Sequence, residues 1–149
     1  RGWTAEETPF PWMTLLLAAL IVAGGVVVAI YLFRFGREAV LFLVSRSTSA
    51  GALRALRMLL LIRLVTRGYA FKPPALTLSE YAEHYPLCAR FADLYAELRY
   101  RENLSPAERR GRMDELRREY ARLEAETARQ NRSIGALFRR FFSLKGFRY

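Results

Sequence analysis

No formally charged residue occurs between Pro9 and Phe33, a run of 25 residues that includes Leu15, Leu16, Leu17, Ile21, Val26, Val27, Val28 and Ile30. At about 1.5 Å per residue, the stretch from Trp12 to Phe33 makes roughly 33 Å of helix, enough for the roughly 30 Å hydrocarbon layer of a bilayer. The apolar part of a secretory signal is shorter, about 7 to 15 residues, and follows positive charge. Here the preceding residues include Arg1, Glu6 and Glu7. The run therefore predicts a transmembrane helix over 11–34. The opening Arg1, in place of Met, reads as the continuation of a longer or processed protein.

Charge on the two flanks predicts the orientation. The chain has 24 Lys and Arg, of which one precedes the run and 23 follow it, with Arg34, Arg37 and Arg46 close behind. Because Lys and Arg resist translocation, the C-terminal part is expected in the cytoplasm of a bacterial inner membrane and residues 1–10 outside, as a short stub. Trp12 at one edge, with Tyr31 and Phe33 at the other, suits the aromatic belts of a span. Ala19 with Ala23, and Gly25 with Ala29, form small-x-x-x-small pairs that permit close helix contact, although plain Ala/Gly-rich anchors carry such pairs by chance.

Composition sharpens this division. The net charge is +10 and 52% of residues are hydrophobic, yet the mean hydropathy is near zero: an apolar block is balanced by a basic remainder. With 149 residues there is room for one domain beside the span. A single Cys excludes an intramolecular disulfide framework and any Cys-rich metal site, and a single His leaves little for triads or zinc. His84 and Cys88 lie at i,i+4 with Glu80 one turn back, but Pro86 intervenes and further ligands are missing, so a core Cys and a surface His are expected. Cys88 also lacks an orienting group or oxyanion site for nucleophilic catalysis. No phosphate-loop pattern exists, and no cofactor, metal or catalytic residue is assigned.

Beyond the span, all segments read as helical, and no useful strand alternation occurs. Residues 35–51 form a juxtamembrane segment whose apolar runs are too often interrupted by Arg to span again. Ser47 to Gly51 reads as a small-residue break, and Ala52 to Arg67 as a core helix rather than an amphipathic membrane helix, since its arginines do not collect on one face. Gly68 and the Pro73-Pro74 pair mark a turn. Thr77-Leu78-Ser79-Glu80 and Ser105-Pro106-Ala107-Glu108 fit capping boxes. Pro86 either ends the first helix so begun or restarts it, and Cys88, Phe91, Leu94, Tyr95 and Leu98 share one face after it.

The last helix carries Met113, Leu116, Tyr120, Leu123, Thr127, Gln130, Ile134 and Leu137 in a 3,4 repeat whose apolar character lapses at Thr127 and Gln130. Glu108 with Arg112, and Asp114 with Arg118, stand at i,i+4 on its other faces. So narrow a stripe needs a partner: the preceding helix of the same chain, another copy or another protein. The tail at 132–149 has five basic residues and no acid, interleaved with Phe138, Phe141, Phe142, Phe147 and Tyr149. Such a tail suits an anionic inner leaflet, with Arg139, Arg140, Phe141, Phe142 and Lys145 as the lipid contacts, and tethering to the membrane disfavours nucleic acid.

Arg57 to Gly68, Thr77-Leu78-Ser79-Glu80-Tyr81-Ala82, Pro86, Phe91, Leu94-Tyr95 and Arg99-Tyr100 together resemble a bacterial domain of unknown function found at the C-terminal end of transglutaminase-like membrane proteins. The likeness covers about Arg54 to Tyr100. It departs at Leu78, where Pro is usual, and in the long charged helix after Tyr100. The resemblance implies a cytoplasmic helical domain behind a transmembrane helix, and as partners a MoxR-type AAA ATPase or von Willebrand factor A-like membrane proteins. It carries none of the enzyme's Cys-His-Asp chemistry onto this chain, because that set lies upstream of the last span.

The expected architecture is all-α: a single N-terminal transmembrane helix and a small cytoplasmic helical domain over 52–131, ending in a long C-terminal helix. The expected function is a non-catalytic, membrane-anchored interaction module of an inner-membrane complex, with Leu116, Tyr120, Leu123, Ile134 and Leu137 as the partner contacts. The alternatives are the inactive end of a transglutaminase-like enzyme and an anionic-lipid-binding module.

Overall fold

The computed structural model describes residues 11–47, 49 and 51–130, and among them every regular element is helical. The order is α1 (Trp12–Arg46), α2 (Gly51–Thr66), α3 (Leu78–His84), a 3₁₀ turn (Pro86–Cys88), α4 (Ala89–Tyr100) and α5 (Pro106–Gln130). The chain divides into two compact units, Arg1–Arg37 and Glu38–Tyr149.

In the first unit, α1 is long and apolar enough to cross a membrane, and none of its most apolar stretch is buried. Leu16, Leu20, Ile21 and Val22 are all more than half exposed. The helix does not stop where the charges begin. It continues through Arg34, Arg37 and Glu38 to Arg46, absorbing most of what the sequence reads as a juxtamembrane segment. Hydropathy marks where lipid-compatible side chains end. The hydrogen-bond ladder runs on until the serines at Ser45 and Ser47, whose hydroxyls bond back to Phe42 O and Val44 O at 2.7 Å.

The second unit is built around α2. Ten of its residues are buried, among them Leu56, Leu59, Leu60, Leu61 and Leu64, and it packs on α4 and α5. Phe91 of α4 and Leu116 and Leu123 of α5 complete the centre. Each such side chain gains about 1.5–3 kcal/mol by leaving water. The local signals that shape this unit act through backbone atoms. At the end of α2, Gly68 has φ +98°, and Tyr69 N donates to Leu64 O and Gly68 N to Val65 O, both at 3.1 Å. This is a Schellman closure, which needs a residue tolerant of the left-handed region. Thr77 starts α3 with both halves of a capping box: Glu80 N donates to Thr77 Oγ1 at 3.2 Å and Thr77 N to Glu80 Oε2 at 2.6 Å. Ser105 and Glu108 repeat the device before α5, at 3.2 and 2.9 Å.

Pro86 does both of the things the sequence allows. Tyr85 breaks α3 at φ −130°, ψ 79°, and Pro86 opens the 3₁₀ turn that leads into α4. The loop before α3 is pinned by tyrosines: Tyr81 Oη donates to Ala70 O at 2.9 Å, Ala70 N donates to Tyr85 Oη at 3.2 Å, and the Tyr69 and Tyr85 rings meet edge to face. Lys72, nearly buried, donates to the carbonyls of Pro73 and Leu76.

The heptad stripe on α5 finds its partners inside the chain. Leu116 and Leu123 have no exposed surface, Tyr120 is buried, and Met113 packs on the same core. Thr127, one of the two polar lapses, is also buried, because its hydroxyl donates to Leu123 O at 2.6 Å. Leu116, Tyr120 and Leu123 therefore do not form a surface for another protein: a partner would have to displace α2 and α4 to reach them. Ile134 and Leu137, and the lipid contacts Arg139, Arg140, Phe141, Phe142 and Lys145, lie outside the described residues.

Candidate functional site

The polar chemistry of the second unit is dominated by arginine, and six of these side chains contact a carboxylate. Arg63 of α2 lies 3.3 Å from Glu38 at the α1 end and 3.4 Å from Glu124 of α5. Burial opposes its charge, but Glu38, Tyr120 and Glu124 outweigh it and hold the guanidinium more firmly protonated than in water. Arg67 Nη1 donates to Glu124 O at 2.6 Å beside it. Along α5, Arg112 pairs with Glu97 and Glu115, and Arg122 with Glu119 and Glu126. Asp114 takes Arg117 at i,i+3, not the i,i+4 Arg118 that spacing suggests.

Arg117 has a second task. Its Nε donates to Ser45 O at 3.1 Å and its Nη2 to Ser47 O at 2.8 Å. A cation is thereby fixed on the free carbonyls and negative dipole end of α1. One side chain of α5 thus closes the helix that begins as the apolar run.

Beside that contact lies a cavity of about 740 Å³. Its wall is formed by Ser47 and Ser49 of the α1–α2 turn, Arg99 of α4, and Arg109, Arg110, Asp114 and Arg117 of α5, over Ala52, Leu53, Leu98, Pro106 and Met113. A smaller cavity of about 190 Å³ shares Leu53 and Arg99 and adds Arg54, Arg57 and Tyr95. Arg57 sits over the Tyr95 ring at 5.7 Å, and its buried Nε has no hydrogen-bond partner among the described residues. The first turns of α2 and α5 both border the larger cavity, adding the positive ends of two helices. Sequence reading missed this arrangement because the arginines of the larger cavity come from two helices, α4 and α5, and those of the smaller one from α2 and α4. The available signal was the Arg109-Arg110 pair directly after a capping box, which puts two adjacent cations on the first turn of α5.

The two side chains closest to nucleophilic or ligand chemistry are occupied structurally. Cys88 has no exposed surface, and burial pushes its thiol up to about 11, which keeps it protonated and unreactive at neutral pH. His84 is exposed, its Nδ1 at 3.1 Å from Glu80 O. Among the described residues no group of three His, Cys, Asp or Glu side chains is placed to hold a metal. The chain matches no family model, no curated protein and no solved structure.

Proposed function

We propose that the protein is a non-catalytic, membrane-anchored interaction module of a bacterial inner-membrane complex, with α1 as the anchor and the Glu38–Gln130 unit in the cytoplasm. One observation carries the reading: α1 offers an apolar stretch that nothing buries, and the same helix continues without a break into a unit that has its own core. A helix exposed in this way needs lipid or another apolar body around it. The excess of Lys and Arg after the span supports the cytoplasmic side for the larger unit. Arg46 over the Phe42 ring at 4.5 Å, beside exposed Val40 and Leu43, suits a headgroup region where apolar bodies carry polar ends. The buried, protonated Cys88 supports the non-catalytic part of the reading.

The resemblance of Arg54 to Tyr100 to the domain that closes transglutaminase-like membrane proteins points the same way, toward a MoxR-type ATPase or a von Willebrand factor A-like membrane protein as partner. The test is purification of the tagged chain from its native membrane in mild detergent, with mass spectrometry of what remains bound. Stoichiometric recovery of a second membrane subunit or an ATPase is the expected result. Recovery of the chain without a partner contradicts an interaction module, and if it is joined to a long upstream domain it favours the closing segment of a larger enzyme.

A further inference from the structure

We infer that the arginine-lined cavity between the α1–α2 turn, α4 and α5 binds a phosphate-bearing ligand of the size of a nucleotide or a lipid headgroup. Six arginines of the unit, Arg63, Arg90, Arg101, Arg112, Arg117 and Arg122, each contact a carboxylate within 4 Å. Arg99, Arg109 and Arg110, which line the cavity, contact none among the described residues. The cavity's single acid, Asp114, is already bonded to Arg117 at 2.9 Å. Three unmatched guanidinium groups facing one space repel one another, and an anion entering that space removes the repulsion.

Phosphate fits this demand better than a carboxylate. Guanidinium forks bond phosphate oxygens in pairs, and three forks exceed what one carboxylate can accept. The positive dipole ends of α2 and α5 at its border favour the same charge. A volume of about 740 Å³ falls in the range of small-molecule sites, roughly 300–1,000 Å³. The apolar side chains Leu53, Leu98 and Met113 in its wall leave room for a non-phosphate portion. Arg54 and Arg57 in the adjoining cavity extend the positive field toward Arg99. The inference stands on this geometry and does not depend on α1 being an anchor.

The experiment uses the full chain in neutral dodecyl maltoside micelles and two probes, inorganic pyrophosphate and phosphatidylglycerol. Binding is followed by calorimetry for the first and by adducts in native mass spectrometry for the second. One-to-one binding of at least one probe is expected, and which one binds separates a soluble phosphate compound from a headgroup. The variant Arg109→Gln with Arg110→Gln should weaken binding by about tenfold or more, since charge-assisted bonds are lost. Arg99→Gln alone should act in the same direction. Arg118→Gln with Arg129→Gln, which removes equal charge away from the cavity, should change it by less than about twofold. All of these side chains are exposed, so helicity by circular dichroism should be unchanged. Failure of both probes to bind, or equal loss in the two double variants, overturns the site.

Discussion

α1 and α2 are built from much the same residues, yet they end in opposite surroundings. The apolar stretch of α1 is wholly unburied, whereas Leu56, Leu59 and Leu64 of α2 are almost completely enclosed. The difference lies in what accompanies the leucines. Between Trp12 and Phe33 apolar residues occupy the whole circumference with no cation, a pattern suited to an apolar solvent. In α2, Arg54, Arg57 and Arg63 recur every few residues; Glu38 and Glu124 receive Arg63, the Tyr95 ring receives Arg57, and α4 and α5 supply the apolar faces. Hydrophobicity by itself does not decide whether a helix meets lipid or protein. The decision rests on whether the chain holds a complementary surface.

The contrast can be broken most severely at the core. Phe91→Ala should cost the second unit about 3–5 kcal/mol, seen as a large fall in the unfolding midpoint of the full chain in detergent. Leu16→Ala in α1 should leave that midpoint unchanged. Next comes the join between α1, α2 and α5. Arg63→Ala leaves Glu38 and Glu124 facing each other without the cation between them, and should lower stability by about 2 kcal/mol in denaturant titration. A smaller loss, about 1 kcal/mol, is expected for Gly68→Ala, because a Cβ is disfavoured at φ +98°.

The smallest effect concerns acid. Thr77's backbone N–H, and then its hydroxyl, hold Glu80 below the ordinary 4.5. The Ser105 hydroxyl and backbone do the same for Glu108, and Arg90 with Arg112 for Glu115. For carboxylates depressed in the folded state, the stabilisation is complete above the unfolded pKa and disappears as pH falls through the folded one. Thermal midpoints should therefore be flat above pH 4.5 and decline below it, and Thr77→Ala should show a shallower decline.

What could be read from the sequence follows the range of each interaction. Both capping boxes and the Gly68 turn are set by residues three to five apart, and their hydrogen bonds form as the spacing implies. The burial of Cys88, Phe91, Leu94, Tyr95 and Leu98 on one face was legible for the same reason. The stripe on α5 was visible, but its partner was not: Leu116 and Leu123 meet side chains more than 20 residues away, and periodicity carries no record of which helix answers it. Hydropathy marks the apolar run over 11–34 but not where its helix ends: α1 runs on to Arg46, and Arg117, far along the chain, bonds the carbonyls of Ser45 and Ser47. The arginine cavity was invisible because α4 and α5 must pack before their cations share one space.

The proposed division into a lipid-facing helix and a cytoplasmic helical unit is tested most directly by labelling a cysteine from one side of the membrane. Glu102 is exposed in the α4–α5 turn, and the native Cys88 is fully buried, so a Glu102→Cys variant presents one reactive thiol. In intact spheroplasts a membrane-impermeant maleimide should leave it unmodified, and after lysis it should label the protein in the carbonate-washed membrane fraction. Labelling without lysis, or recovery of the chain in the carbonate supernatant, would contradict the account.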